Sequence, residues 1–157
     1  MDSSPEICNA RLRKTLEVSG HRYTEQRAAV YRFLCSTTSH PDADEVFQEV
    51  RGEVPGISLA TVYKSLETLV NCGLAAKLTY SDGSARYDGR TDPHHHVRCL
   101  ECGRVRDLPG QLPEEATDSL AQGLDGFQIT GYRLELIGLC TRCRGNRMLQ
   151  GSTTPPN

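Results

Sequence analysis

Two Cys-x-x-Cys pairs, Cys99–Cys102 and Cys140–Cys143, constrain this chain more than any other feature. Together they supply four sulfurs, the full tetrahedral shell of a structural zinc. The 37 residues between the pairs exceed the loop of a zinc ribbon. A small domain is therefore expected to fold between them, with zinc pinning its ends. Two disulfides are the plain alternative, but they belong to oxidising compartments. No apolar run follows basic residues at the N-terminus, so no signal peptide is expected. No apolar stretch approaches the roughly 20 residues of a membrane span. The chain reads as cytoplasmic, where seven cysteines point to metal or free thiols. Redox catalysis at one pair leaves the second unexplained. A zinc deaminase needs His-x-Glu and a Pro directly before the Cys pair, and neither is present.

The first pair belongs to a denser stretch, His94-His95-His96-Val97-Arg98-Cys99-Leu100-Glu101-Cys102, which holds three of the five histidines. On a strand, His94 and His96 face one way and His95 the other. A His-x-His pair on one face is a metal-binding element, too far out of register to join the four sulfurs. Asp88, Asp107 and His40 are the other candidates. Taken alone, His40 before Pro41 is expected to be a capping or surface residue. As a set, three imidazoles and two carboxylates suit Fe²⁺ or Mn²⁺, and Zn²⁺ binds such a set at least as tightly.

With 157 residues, no Trp and three Phe, two small domains fit better than one large core. Pro5–Val18 reads as a helix stopped by Ser19-Gly20. Thr24 caps a second helix carrying Ala28, Val30, Tyr31, Phe33 and Leu34. A third starts at His40-Pro41-Asp42. Ser58 caps a fourth, in which Leu59, Val62, Leu66 and Leu69 form one apolar stripe. Its other side presents Ala60, Thr61, Tyr63 and Lys64 near the N-terminus, where a recognition helix touches bases and phosphates. Leu74–Tyr80 and Ala85–Asp88 flank a Ser81-Asp82-Gly83-Ser84 turn and read as a hairpin. Helices followed by a hairpin outline a winged helix over residues 1–89. A linker is expected over 90–93, a small α/β domain over 94–148, and a disordered tail over 149–157. In the second domain, Arg104–Leu108 is predicted to pair with the strand before Cys99. Pro113–Leu124 is predicted as a helix. Phe127–Leu139 is predicted as a long strand able to pair across a two-fold axis. The class is α+β.

The net charge of −2 does not advertise a nucleic-acid binder. Any DNA contact must come from a local basic surface, aligned with a second one on a dimer. Arg22, Arg27 and Lys64 are the candidate phosphate contacts. Cys8, Cys35 and Cys72 stand outside the zinc set, Cys35 and Cys72 as expected buried thiols.

Thr24-Glu25-Gln26-Arg27, Ser39-His40-Pro41, the Ser58–Tyr63 helix start, His94-x-His96 and both Cys pairs together resemble the ferric uptake regulator family of bacterial metal-dependent repressors. The resemblance runs from about Ala10 to Asn146. It implies an N-terminal winged-helix DNA-binding domain and a C-terminal dimerisation domain. It implies that Cys99, Cys102, Cys140 and Cys143 hold structural zinc. It also implies that His40, Asp88, His94, His96 and Asp107 form a regulatory Fe²⁺ or Mn²⁺ site at the domain junction. Iron-sensing members typically carry Glu where this chain has Asp88 and Asp107. The Asp pair is similar to the peroxide-sensing branch, in which iron-catalysed oxidation would strike His40 and His94. Gly131 stands where many iron sensors carry a histidine, and His95 departs from the usual middle residue of both branches.

The resulting expectation is a dimeric repressor of inverted-repeat operator DNA that senses peroxide. A metal-uptake regulator blind to peroxide is the alternative within the class. An enzyme is disfavoured, because no Ser or Cys sits beside a His in a nucleophile motif. A zinc-stapled interaction module would make Tyr63 and Lys64 irrelevant to DNA.

Overall fold

The computed structural model describes residues 4–110, 113, 119, 122–130, 132 and 134–150. The chain divides into two compact units, Met1–Asp92 and Pro93–Asn157.

The first unit holds four helices and a hairpin. α1 (Pro5–Val18) starts at Ser4, whose hydroxyl accepts from the Ile7 amide, with Pro5 in the first turn. α2 (Glu25–Ser36) is capped by Thr24, which accepts from the Arg27 amide at 3.2 Å. α3 (Ala43–Val50) has a reciprocal capping box between Asp42 and Glu45. Pro41 stands outside that helix, just ahead of the cap. α4 (Leu59–Asn71) is capped by Ser58 and buries Val62, Leu66 and Leu69. Gly73 ends it with φ +69°, a conformation that a Cβ disfavours. β1 (Ala76–Thr79) and β2 (Ala85–Asp88) then pair antiparallel, Ala76 opposite Asp88 and Thr79 opposite Ala85. One core joins these elements: Leu12 and Leu16 from α1, Tyr31 and Leu34 from α2, Val46 from α3, Val62, Leu66 and Leu69 from α4, and Tyr87 from the hairpin.

The second unit is a three-stranded sheet with a closing helix. β3 (His96–Cys99) is central. β4 (Val105–Asp107) pairs antiparallel on one side, with His96 opposite Asp107. β5 (Glu135–Gly138) pairs parallel on the other, with Cys99 opposite Gly138. Of the long strand expected over Phe127–Leu139, the described residues form these four. β3 offers only four ladder positions, so residues further back find no partner strand among the described residues. The helix α5 (Thr141–Gln150) starts directly after Cys140 and contains Cys143. It runs two residues into the stretch expected to be a tail. The predicted helix over Pro113–Leu124 lies largely outside the described residues, as does the tail beyond 150. No helix among the described residues is long and apolar enough to cross a membrane.

Candidate metal centres and DNA-facing helix

The four thiols come together as the spacing requires. Cys99 ends β3 and Cys102 lies in the tight turn that follows, closed where the Gly103 amide donates to the Cys99 carbonyl. Cys140 and Cys143 open α5. All four sulfurs form one cluster. Cys102 Sγ and Cys140 Sγ are 3.8 Å apart. Sulfurs bound at about 2.3 Å to one tetrahedral ion lie about 3.8 Å from one another, so the gap matches zinc and excludes a disulfide. Backbone amides of Cys102 and Cys140 pull the Cys99 thiol down to about 6, and the Cys140 amide donates to its sulfur at 3.4 Å. The Cys143 amide likewise lowers Cys140. Desolvation and the neighbouring sulfurs push Cys143 up to about 12. One cluster that opposes its own full ionisation needs a cation to hold four thiolates. Arg142, drawn to the Cys102 and Cys143 sulfurs, offsets part of that charge.

The nitrogen and carboxylate candidates are found in two groups, one per unit. In the first unit His40 and Asp88 meet, with Nε2 and Oδ2 3.4 Å apart and exposures of 2% and 7%. His40 is therefore neither a cap nor a surface residue; Asp42 does the capping. Its φ of +51° is the one positive value among described non-glycine residues, a conformation that costs of order 1–3 kcal/mol. Three hydrogen bonds hold the distortion. Arg86 Nη1 donates to the His40 carbonyl at 2.9 Å, the Tyr87 amide donates to the Pro41 carbonyl at 2.8 Å, and the His40 ring meets the Thr38 carbonyl through Nδ1 at 3.2 Å. A carbonyl can only accept, so Nδ1 donates to it and Nε2 is the ring nitrogen turned toward Asp88. Asp88 is fixed in turn by the Arg90 amide, which donates to Oδ1 at 2.7 Å. Gly89 seats the segment: a Cβ there would lie 2.4 Å from the Leu34 carbonyl oxygen.

In the second unit, two imidazoles converge on one carboxylate oxygen. His94 Nε2 is 3.4 Å and His96 Nε2 3.7 Å from Asp107 Oδ1. The rings stand edge to face, centroids 4.5 Å apart. The β3–β4 register that sets His96 opposite Asp107 accounts for the meeting. Ligand atoms about 2.1 Å from a shared ion lie about 3.0 Å apart at right angles and about 3.4 Å apart at tetrahedral angles. The spacings in both groups fit a shared cation better than direct hydrogen bonds. His95 turns to the other face and meets the Tyr132 hydroxyl at 3.2 Å.

Of the expected DNA-facing residues, Ala60, Tyr63 and Lys64 are exposed on one side of α4. Ser58 and Thr61 share a hydrogen bond of 2.9 Å at its N-terminus, with Thr61 half-buried. Arg22 is exposed. Arg27 is half-buried, with its guanidinium bonded to the Arg22 carbonyl and, at 3.3 Å, to Thr68 on α4.

The model of the ferric uptake regulator family matches residues 18–137. The chain belongs to this family. Its curated relatives include the peroxide-responsive repressor PerR of Staphylococcus aureus (strain USA300). That protein is 38% identical over 131 residues, 83% of this chain and 87% of its own. Among solved structures, a zinc-bound manganese uptake regulator is 30% identical with a TM-score of 0.66, covering 82% of this chain and 98% of its own. The Helicobacter pylori ferric uptake regulator shares the fold at 22% identity, with a TM-score of 0.76 over 90% of this chain and 94% of its own. This member of the family carries the sulfur cluster and the His/Asp ligands that a metal-dependent repressor requires. Sequence reasoning missed Thr38, Arg86 and Gly89, which orient the ligands through backbone contacts that no motif encodes. It also missed Tyr132, for which unexplained His95 was the available signal.

Proposed function

We propose that the protein represses transcription as a homodimer on inverted-repeat operator DNA, with Zn²⁺ on the four cysteines and Fe²⁺ or Mn²⁺ as corepressor. His40, Asp88, His94, His96 and Asp107 act as one regulatory ligand set. The observation that carries this reading is the pair of spacings, 3.4 Å in each unit, set between ligands whose tautomer and backbone are fixed from behind. Such fixing favours metal binding over a mobile surface pair. Metal shifts DNA affinity only by its preference for the binding-competent state. Iron would supply the redox chemistry by which peroxide adds oxygen to a ligand histidine, His40 or His94. The name of the Staphylococcus aureus relative and the two short carboxylates support the peroxide reading over a plain metal-level sensor.

On the DNA side, Ala60, Tyr63 and Lys64 face base edges, Ser58 and Thr61 set the helix start, and Arg22 meets a phosphate. Arg27 approaches the same phosphate track and steadies α4 through Thr68. Dimerisation uses the second unit, where β5 is an edge strand with Leu136 and Ile137 exposed.

The test loads the zinc protein with Fe²⁺ or Mn²⁺ without oxygen and then adds a small excess of peroxide. Peptide mass spectrometry and operator binding are followed together. Oxygen on His40 or His94 with iron but not manganese, together with loss of operator binding, is the expected result. Intact histidines with a metal-switched operator would reassign the protein to metal sensing. Operator binding indifferent to metal would remove the regulatory ligand set.

A further inference from the structure

Glu45 belongs to neither ligand set, yet three hydrogen bonds converge on it. Its amide donates to Asp42 Oδ1 at 2.8 Å. Its Oε2 accepts from the Asp42 amide at 2.9 Å and from Arg86 Nη1 at 2.8 Å. The first two bonds close the cap of α3. The third is not needed for a cap. Nη1 carries two N–H groups, and its second acceptor is the His40 carbonyl at 2.9 Å. One guanidinium nitrogen thus reaches from the start of α3 to the backbone of a metal ligand. Arg86 stands on β2 two residues before Asp88, so one strand carries both this link and the second ligand.

We propose that Glu45 is a positioning residue for the regulatory metal. It holds Arg86 Nη1 against the His40 carbonyl and so keeps the His40 ring facing Asp88. This role rests on the reading of His40 and Asp88 as regulatory ligands. A neutral carbonyl is a weak hold on a long side chain with many rotamers. The carboxylate supplies the charge-assisted bond, and the Asp42 amide fixes the carboxylate in turn. α3 is a firm base for this chain of bonds, because its Val46 and Val50 pack in the core. His40 needs the support, since its φ of +51° is a conformation that surrounding bonds must hold.

The pair acts on position more than on stability. The Glu45 side chain is 55% exposed, and an ion pair so open to water contributes little to folding. Ligand geometry is less forgiving. Loss of a group that orients a metal ligand lowers affinity by roughly 10–100-fold.

The experiment titrates Mn²⁺ into the full zinc-loaded chain by calorimetry, for the unsubstituted protein, Glu45→Ala, Arg86→Met and the two together. Glu45→Ala is expected to weaken Mn²⁺ binding roughly 10-fold. Added to Arg86→Met it should weaken binding no further, because the two residues act in series. Loss of the α3 cap, read as a lower thermal midpoint, should appear in both backgrounds. Arg86→Lys, which keeps a charged donor, should recover part of the affinity lost in Arg86→Met. If Glu45→Ala folds poorly, Glu45→Gln, which keeps an oxygen for the Asp42 amide, should give a smaller loss of the same sign. Nitrogen NMR of the His40 ring in the protein free of Mn²⁺ is the second readout, and its signals should move alike in Glu45→Ala and Arg86→Met. Unchanged Mn²⁺ affinity in Glu45→Ala, or losses from Glu45→Ala and Arg86→Met that add, would overturn the proposal. Asp88→Ala separates this role from the ligand reading beneath it. If Asp88→Ala leaves Mn²⁺ affinity intact, the ligand reading fails, and the His40 signals without Mn²⁺ decide whether Glu45 positions the ring.

Discussion

The two units are held by different means. The first has an apolar core drawing on all four helices and the hairpin. Among the described residues of the second, the buried apolar side chains are Cys99, Val105 and Cys143, two of them candidate zinc ligands. Meanwhile Phe127 is 75% exposed and Ile137 64%. The first unit stabilises itself by taking carbon out of water. The described residues of the second bury little apolar surface, while its four cysteines cluster as zinc ligands.

Removing zinc should break the comparison most sharply. Structural zinc contributes an apparent 10–16 kcal/mol, order of magnitude. A strong chelator, or Cys143→Ser, is expected to unfold the second unit while α1–α4 keep their amide protection. Hydrogen exchange read by unit checks this, and persistent protection in β3–β5 would show the second unit to be self-sufficient. Next in size is Leu66→Ala, expected to cost the first unit about 2–5 kcal/mol in denaturant titration, with zinc content unchanged. Gly89→Ala should cost about 1–3 kcal/mol, because backbone has to move away from the new Cβ, and should weaken Mn²⁺ binding. If Mn²⁺ affinity holds while stability falls, Gly89 seats the wing but not the ligand.

The units should also respond differently to pH. Cys35 is raised from 9.0 to about 12 in the fold. Its contribution is complete below pH 9 and is lost as pH climbs through 9 to 12. Burial also raises Tyr31, with the same sign above 10. Cys99 is lowered from 9.0 to about 6, so its contribution is present above pH 9 and fades as pH falls toward 6. Zinc, which holds thiolates, is released in the same acid direction. Cys143 in the second unit is also raised to about 12, so melting curves with unit-specific probes should show both units weakening in alkali and the second also in acid. The smallest effect is Arg22→Ala, which should reduce the log–log salt slope of operator binding by about one. An unchanged slope would remove Arg22 from the phosphate contacts.

Much of the fold was legible because its signals are local. Thr24 and Ser58 cap as their side chains allow, and the Leu59–Leu69 stripe turns inward except at Leu59, which is half-buried. The sulfur cluster was legible because ligand spacing is itself a sequence property. Of the strand expected over Phe127–Leu139, the described residues form Glu135–Gly138. Alternation reports that a strand is possible, whereas its length is set by the partner, here four residues of β3. α5 was missed because Thr141–Gln150 has few apolar residues to mark a period. The burial of His40 was illegible for a different reason. A His before Pro in a turn looks exposed, and only the tertiary bonds from Arg86 and Tyr87 pull it inward.

The parallel pairing of β3 with β5 bears on how the protein is made. The central strand is synthesised well before its second neighbour, and the two later thiols arrive only with that neighbour. The first unit can complete its core while the ribosome is still adding the rest. The second must wait with β3 and β4 showing an open edge and half a metal site. Zinc capture therefore waits for the second Cys pair. A chain cut short before Cys140 would keep a finished first unit yet never acquire the closed sheet, leaving a fragment that cells would recognise by its bare strand edge.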